Sequence, residues 1–191
     1  MQCPAIPRLI LASLILLVAG ISNLTAKETP EEKRASTLKM RDAVLTDLYK
    51  EKPETKARIK KAEGYAVFTN VGVNVIFASF AGGHGVVVDK KGRETFMKMG
   101  SAGIGLGLGI KDFRAIFIFH DKAKLETFIE KGWDFSGQAD AAAKSDDKGD
   151  QVALAATVIP GVEIYQFTKN GLALQATLQG TKYWVDRDLN K

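Results

Sequence analysis

The sequence contains few of the residues that carry side-chain chemistry. Of its 191 residues, one is cysteine and two are histidine. Cys3 precedes the N-terminal apolar stretch, so no disulfide is expected in the rest of the chain. His84 and His120 each lack a second ligand at the short spacing that a zinc site requires. No nucleophile elbow or metal-binding motif is present either, and the sequence therefore predicts a non-enzymatic protein with no metal and no cofactor.

The excess of positive over negative charge is also small. The chain has 27 Lys and Arg residues against 22 Asp and Glu residues, a formal net charge of +5. This excess favours weak attraction to anionic surfaces. Because basic and acidic residues are evenly mixed and no recognition motif is present, the sequence argues against nucleic acid as a partner.

A long apolar run occurs only at the N-terminus. Arg8 precedes an almost unbroken apolar stretch from Leu9 to Ile21, and the polar residues that follow end at Ala26. About 13 residues at about 1.5 Å each span about 20 Å, short of an apolar bilayer core of about 30 Å. This pattern predicts a signal peptide over residues 1–26 and an exported, periplasmic or secreted protein, peripheral to a membrane, whose residues 27–191 form a single domain.

The first part of that domain, residues 29–63, has helical signals. Thr29, Pro30 and Glu32 form a capping-box pattern with proline at the first helical position, and apolar residues then recur at helical spacing to about Lys50. Pro53 is expected to begin a second, shorter helix that ends at Gly64.

Residues 64–191 have the period-two pattern of strands. We expect a turn or bulge at Gly82–Gly85, and a strand over Gly103–Ile110, where glycine alternates with aliphatic residues. The remaining expectations are a turn at Asp89–Gly92, a strand at Ala115–Phe119, a helix capped by Asp121 and stopped by Gly132, an exposed loop or Ala-rich helical turn at Asp134–Gln151, a hairpin turn at Lys169–Gly171 between two strands, and a last edge strand at Tyr183–Val185. The predicted fold class is α+β: a curved antiparallel sheet or partly closed β-barrel with N-terminal helices and one further helix packed on it.

Several blocks in this order resemble the SYLF domain, in its secreted bacterial branch. The resemblance covers the chain from about Ala62 to its end. The matching blocks are Gly64–Phe68, Gly82–Gly85, the glycine-alternating segment before Asp112, Phe119–Trp133, Phe135–Ala143, Tyr165–Leu174 and Gly180–Trp184. The resemblance implies a lipid-binding module.

A basic segment between the first helix and the sheet is the candidate site. Six cations stand against Glu51, Glu54 and Glu63, a balance of +3. One interpretation is attraction to an anionic bilayer; the other is a solvated helix face whose cations pair with neighbouring glutamates. The six residues are Lys50, Lys52, Lys56, Arg58, Lys60 and Lys61.

Two further features have open interpretations. His84, in its glycine-rich surroundings, is either a structural residue or a contact to a lipid head group. Trp133, Tyr183 and Trp184 are either core aromatics or interfacial anchors with one wet end.

The sequence thus predicts a lipid-binding protein that associates reversibly with anionic phospholipid membranes. The alternative is a non-catalytic structural or interaction protein of the cell envelope that binds a protein partner. Carriage of a soluble hydrophobic ligand is a third interpretation.

Overall fold

The computed structural model describes residues 28–75, 78–104, 114–135, 159–168, 171–174 and 181–191. These residues form three α-helices and eight β-strands, which confirms the predicted α+β class with a curved antiparallel sheet. The helices are α1 (Pro30–Glu51), α2 (Thr55–Lys61) and α3 (Lys122–Lys131); the strands are β1 (Gly64–Val75), β2 (Ala78–Asp89), β3 (Glu94–Ile104), β4 (Arg114–Phe119), β5 (Trp133–Asp134), β6 (Val162–Thr168), β7 (Gly171–Leu174) and β8 (Thr181–Val185).

The capping box at the start of α1 is confirmed. The Thr29 hydroxyl accepts a hydrogen bond from the Glu32 backbone N–H at 3.2 Å, and the Glu32 carboxylate accepts one from the Thr29 N–H at 2.8 Å. Two free N–H groups of the first turn are thereby satisfied. Local sequence alone therefore sets where α1 begins.

The second helix differs from its prediction at both ends. It begins at Thr55, two residues after Pro53, and it ends at Lys61, before Gly64. Gly64 is instead the first residue of β1, paired with both Asp89 and Phe119. Pairing to two neighbouring strands explains why the chain leaves the helix early.

The strands form one sheet in the order β5-β8-β3-β2-β1-β4-β6-β7. The first three strands along the chain form an antiparallel meander, and β4 then pairs with the free side of β1. The predicted Asp89–Gly92 turn is confirmed, with Gly92 at φ +79°. In the predicted hairpin, Thr168 of β6 pairs with Gly171 of β7.

Two sequence predictions for this sheet were wrong. The expected turn or bulge at Gly82–Gly85 is instead the middle of β2, which pairs along its whole length with β1. The glycines provide space here, because a Cβ on Gly85 would overlap the Phe68 ring and the Val67 carbonyl. The predicted edge strand β8 is also internal, since it lies between β3 and the two-residue strand β5.

Helix α3 follows its local signals. The Asp121 carboxylate accepts hydrogen bonds from the N–H groups of Ala123 and Lys124, at 2.8 and 3.2 Å. Gly132 ends the helix at φ +69°, a conformation that favours glycine. The predicted cap and stop are both confirmed.

The sheet is covered on two faces. We call one the aromatic face: its buried cluster includes Phe68, Phe117 and Tyr183 and is closed by Phe128 of α3. The rings meet at angles and distances typical of buried aromatic pairs, such as 4.8 Å between the centroids of Phe68 and Tyr183. This cluster is the main core of the protein.

We call the opposite face the α1 face. Leu48 of α1, fully buried, packs on Val67, Ile116 and neighbouring residues of the sheet. Ion pairs join α1 to two different strands: Arg41 to Glu94 at 2.7 Å, and Asp47 to Arg114 at 2.6 Å. Helix α1 therefore crosses several strands and is held at more than one point.

Several predictions lie outside the described residues. These are the signal peptide at 1–26, the glycine-alternating strand beyond Ile104, most of the loop at 134–151, the two hairpin residues 169–170, and the strand beyond Leu174. None of the helices that the structure describes is long and apolar enough to cross a membrane.

Two glycines of β2 give a matched test of the close packing. Gly85→Ala forces a methyl group against Phe68 and Val67, so we expect it to lower the free energy of unfolding by about 1–3 kcal/mol. At Gly82 no described atom lies within 4 Å of the added Cβ. Gly82→Ala is therefore expected to be neutral or slightly stabilising. Urea denaturation measures both, and equal effects at the two positions would contradict the packing described here.

Candidate functional site

The six cations of the basic segment all lie at the protein surface, on the last turn of α1, the residues after it, and α2. Helix α2 directs other residues inward: Thr55 is fully buried, and Ile59 packs against the cluster below α1. The helix therefore has an apolar side on the protein and a basic side in solvent.

One of the six predicted cations is already paired. The Arg58 guanidinium lies 3.0 Å from a carboxylate oxygen of Glu163 on β6. The same carboxylate accepts a hydrogen bond from the Tyr165 hydroxyl at 2.9 Å, and its other oxygen lies 2.7 Å from His120 Nε2. Because an ionised carboxylate only accepts, the imidazole is the donor in this contact. Arg58 therefore joins α2 to the sheet.

The Glu163 cluster changes the acidity of its members. Partial burial alone would raise the pKa of Glu163, but the hydrogen bonds from His120, Tyr165 and Arg58 outweigh it and hold that pKa below its usual value. Burial and the neighbouring carboxylate raise the pKa of Tyr165 to about 12. Tyr165 therefore remains a protonated donor to an ionised Glu163 at neutral pH.

The other five cations are the lysines of the basic segment. Within the described residues, no carboxylate lies within the 4.0 Å that defines an ion pair with any of their ammonium groups. The described residues thus show no ion pair between any of the six cations and the neighbouring glutamates. Arg58 instead pairs with the distant Glu163. The five are Lys50, Lys52, Lys56, Lys60 and Lys61.

His84 lies apart from the basic segment. It pairs with Thr69 of β1 and with Lys98 of β3. The chain passes from α2 into the sheet at Gly64, whose partner on β2 is Asp89, five residues after His84. Five residues of strand span about 17 Å. The structure therefore does not combine His84 with the lysines of α2 into one site.

The neighbours of His84 are instead a lysine and a tryptophan. His84 pairs with Lys98, which pairs in turn with Trp184 on β8. Directly paired residues project on the same face of a sheet, so these three side chains form a row, here called the His84 row. Partial burial lowers the pKa of His84, and the charge of Glu28 opposes this shift only in part. The imidazole is therefore neutral at pH 7.

The aromatic residues also separate. Tyr183 is buried in the aromatic cluster, and Trp133 packs against it. Trp184 is 38% exposed. Tyr183 and Trp133 therefore belong to the core. Trp184 has the exposure that the interfacial-anchor interpretation requires.

No group of three or more metal-ligating side chains occurs among the described residues. Glu163 joins α2 to the sheet through Arg58, and His120, which follows β4, is a second partner of the same carboxylate. Sequence reasoning missed Glu163 as the partner of Arg58, because it lies 105 residues away along the chain. The only sequence signal was the alternating pattern of β6, which does not identify a partner.

Replacing Glu163 tests the cluster. The pKa of Glu163 is lower in the folded state, so its contribution to stability is present above its ordinary pKa of about 4.3 and is lost as the pH falls through the lowered value. Glu163→Gln should lower the free energy of unfolding by about 1 kcal/mol at pH 6, and by much less near pH 3.

Glu126→Gln is the matched control. Glu126 is 56% exposed and forms a 3.5 Å ion pair with Lys122 within α3. Such a pair contributes little, so this variant should unfold like the wild type at both pH values. Chemical denaturation at several pH values measures both variants, and a Glu163→Gln effect that persists unchanged at pH 3 would contradict the account.

None of the known protein-family models matches the chain. The chain is similar to Beta cell expansion factor A of Aeromonas veronii, with 33% identity over 172 residues. The matched region is 90% of this chain and 64% of the relative. The chain thus spans less than two thirds of the length of that protein.

Proposed function

We propose that this chain is a SYLF-like lipid-binding protein that associates reversibly with anionic phospholipid membranes. The observation that carries the proposal is the set of five exposed lysines of the basic segment, none of which has an ion-pair partner among the described residues. Cations without protein partners keep their full attraction for phosphate groups.

The size of this attraction fits reversible association. Each such cation contributes about 1 kcal/mol near an anionic bilayer, and the contribution fades beyond a Debye length of about 8 Å at physiological salt. Only the lysines that reach the bilayer surface at the same time contribute to this attraction. Three of them give about 3 kcal/mol, enough for measurable binding and little enough for release.

The Arg58 ion pair supports the proposal in a different way. Arg58 is held by Glu163, and Ile59 is packed against the sheet, so α2 has a fixed orientation on the protein. A fixed helix presents Lys56, Lys60 and Lys61 as a preformed group. Arg58 is therefore proposed as a positioning residue of the surface, which replaces its predicted role as a lipid contact.

The proposal includes export, a peripheral position at the membrane and the absence of catalysis. Beta cell expansion factor A is named for an effect on cells, and its name specifies no ligand. An effect on cells is compatible with a protein that acts at membranes. It is equally compatible with the alternative, a non-catalytic protein that binds a protein partner in the envelope.

A triple substitution tests the basic segment. Lys56→Gln, Lys60→Gln and Lys61→Gln together should weaken binding to phosphatidylglycerol or cardiolipin vesicles by up to roughly 100-fold at low salt, because three cations are lost. Flotation of protein with vesicles over a range of lipid concentrations measures the change. Arg58 is left in place so that α2 keeps its contact with Glu163.

The control variant removes the same charge elsewhere. Lys39, Lys122 and Lys124 are exposed on α1 and α3, and the ion pair that the described ranges give them is the exposed 3.5 Å pair of Lys122 with Glu126. Their joint replacement by Gln should weaken binding only slightly. Equal losses for both variants would mean that net charge, rather than the basic segment, drives binding. A protein partner captured in detergent, without vesicle binding, would favour the alternative function.

A further inference from the structure

Trp184 is exposed although its neighbours in sequence are buried or half-buried. Among the described residues it is the large hydrophobic residue that is exposed to solvent, with 38% of its surface accessible. It lies on β8, which is hydrogen-bonded to β3 on one side and, at Tyr183 and Lys182, to β5 on the other. The indole is therefore held on a rigid strand rather than on a loop.

Beside Trp184 is an open recess of about 680 Å³. Ile129 and Val185 form an apolar wall, and both residues also pack against the aromatic cluster. The recess lies where the pairing of β5 with β8 has ended, next to the last turn of α3. Its volume is within the range of small-molecule sites, about 300–1,000 Å³.

The rim of the recess is formed by three cations, Lys98, Lys131 and Arg187, and two acids, Glu130 and Asp188. Lys98 pairs with the buried Asp186 at 3.0 Å, and Asp188 pairs with Lys191 at 3.0 Å.

Lys131 and Arg187 have no ion pair with any carboxylate that the structure describes, and both are exposed. Glu130 on the same rim has no ion pair in the described residues either, so two cations and one carboxylate remain, a balance of +1 that favours an anionic ligand. Arg187 adds the planar fork that binds phosphate with two hydrogen bonds.

The His84 row extends this surface across the sheet. Lys98 lies on β3, which is next to β8, and His84 lies on β2, one strand further. Both are within about 10 Å of Trp184 across the strands. Gly82 precedes His84 by two residues on the same face and leaves open space where a side chain would stand. The indole therefore borders an exposed surface that includes His84 and the open space at Gly82.

We propose that this recess holds the head group of one anionic phospholipid of a bilayer, with Arg187 and Lys131 on the phosphate and Trp184 at the level of the head groups. This inference rests on the proposed function and gives it a second contact, distinct from the basic segment. An indole beside cations on long apolar stems is typical of a membrane interface.

Tryptophan fluorescence tests the position of Trp184. The chain has two tryptophans, so Trp133→Phe leaves Trp184 as the single indole. Addition of phosphatidylglycerol vesicles should shift its emission to shorter wavelength, and phospholipids brominated near the head group should quench it. If Trp133→Phe fails to fold, the difference in emission between the wild type and Trp184→Phe provides the same measurement.

Charge removal tests the phosphate contact. Lys131→Gln with Arg187→Gln should weaken binding to phosphatidylglycerol vesicles by roughly 10- to 30-fold, because two cations are lost. Lys39→Gln with Lys122→Gln removes the same charge from α1 and from the side of α3 opposite Lys131, since nine residues of helix separate Lys122 from Lys131, and should change binding less than threefold. Emission that stays constant on vesicles, with equal losses for the two double variants, overturns the recess site.

The outcomes separate the two proposals. Vesicle binding that depends on Lys56, Lys60 and Lys61 but leaves Trp184 emission unchanged overturns the recess and leaves the proposed function standing. Absence of wild-type binding to any anionic vesicle overturns both. Capture of a protein partner that requires Trp184, with unchanged emission on vesicles, assigns the recess to that partner and overturns the lipid site.

Discussion

The contact between Phe68 and the bare backbone of Gly85 sets which residues of β1 and β2 face the aromatic cluster. Phe68 occupies the space that a side chain at Gly85 would need, and it contacts the rings of Phe117, Phe128 and Tyr183. This contact fixes the register of β1 against β2. Because side chains alternate between the two faces of a strand, a shift by one residue would exchange the faces completely.

The surface features follow from the same register. With Phe68 inward, Thr69 and its partner His84 lie on the α1 face, and the pairing continues to Lys98 and Trp184. The core therefore decides which polar and aromatic residues meet at the surface. Helix α1 covers part of this face and leaves the His84 row accessible.

Charges in this protein have two distinct uses. One set joins elements that are distant in sequence, as in the pairs Arg58–Glu163 and Arg114–Asp47, and it positions helices on the sheet. A second set, the lysines of the basic segment with Lys131 and Arg187, has no such partner among the described residues. The proposed function assigns the lysines of the basic segment to anionic phospholipid, and the recess inference assigns Lys131 and Arg187 to the same class of lipid.

The parts of the fold that local chemistry determines were predictable from the sequence. The capping box at Thr29 and the cap and stop of α3 depend on neighbouring residues, and each was confirmed. The glycines from Gly82 to Gly85 were wrongly assigned to a turn or bulge. Their role is to make room for residues of other strands, and the local sequence does not contain that information.

The site was predictable to a smaller extent for the same reason. Exposure of the basic segment followed from its composition, whereas the pairing of Arg58 with Glu163 spans 105 residues and depends on the docking of α2 against β6. The neighbours of His84 could not be predicted from the local sequence either. Its true neighbours, Lys98 and Trp184, depend on strand register across three strands.

The most direct test of the central claim is a salt titration of wild-type protein on vesicles. The account predicts binding to phosphatidylglycerol vesicles at low ionic strength, progressive release as salt shortens the Debye length, and little binding to phosphatidylcholine under any of these conditions. Binding that is equal on both lipids, or absent from the anionic vesicles at low salt, would contradict it.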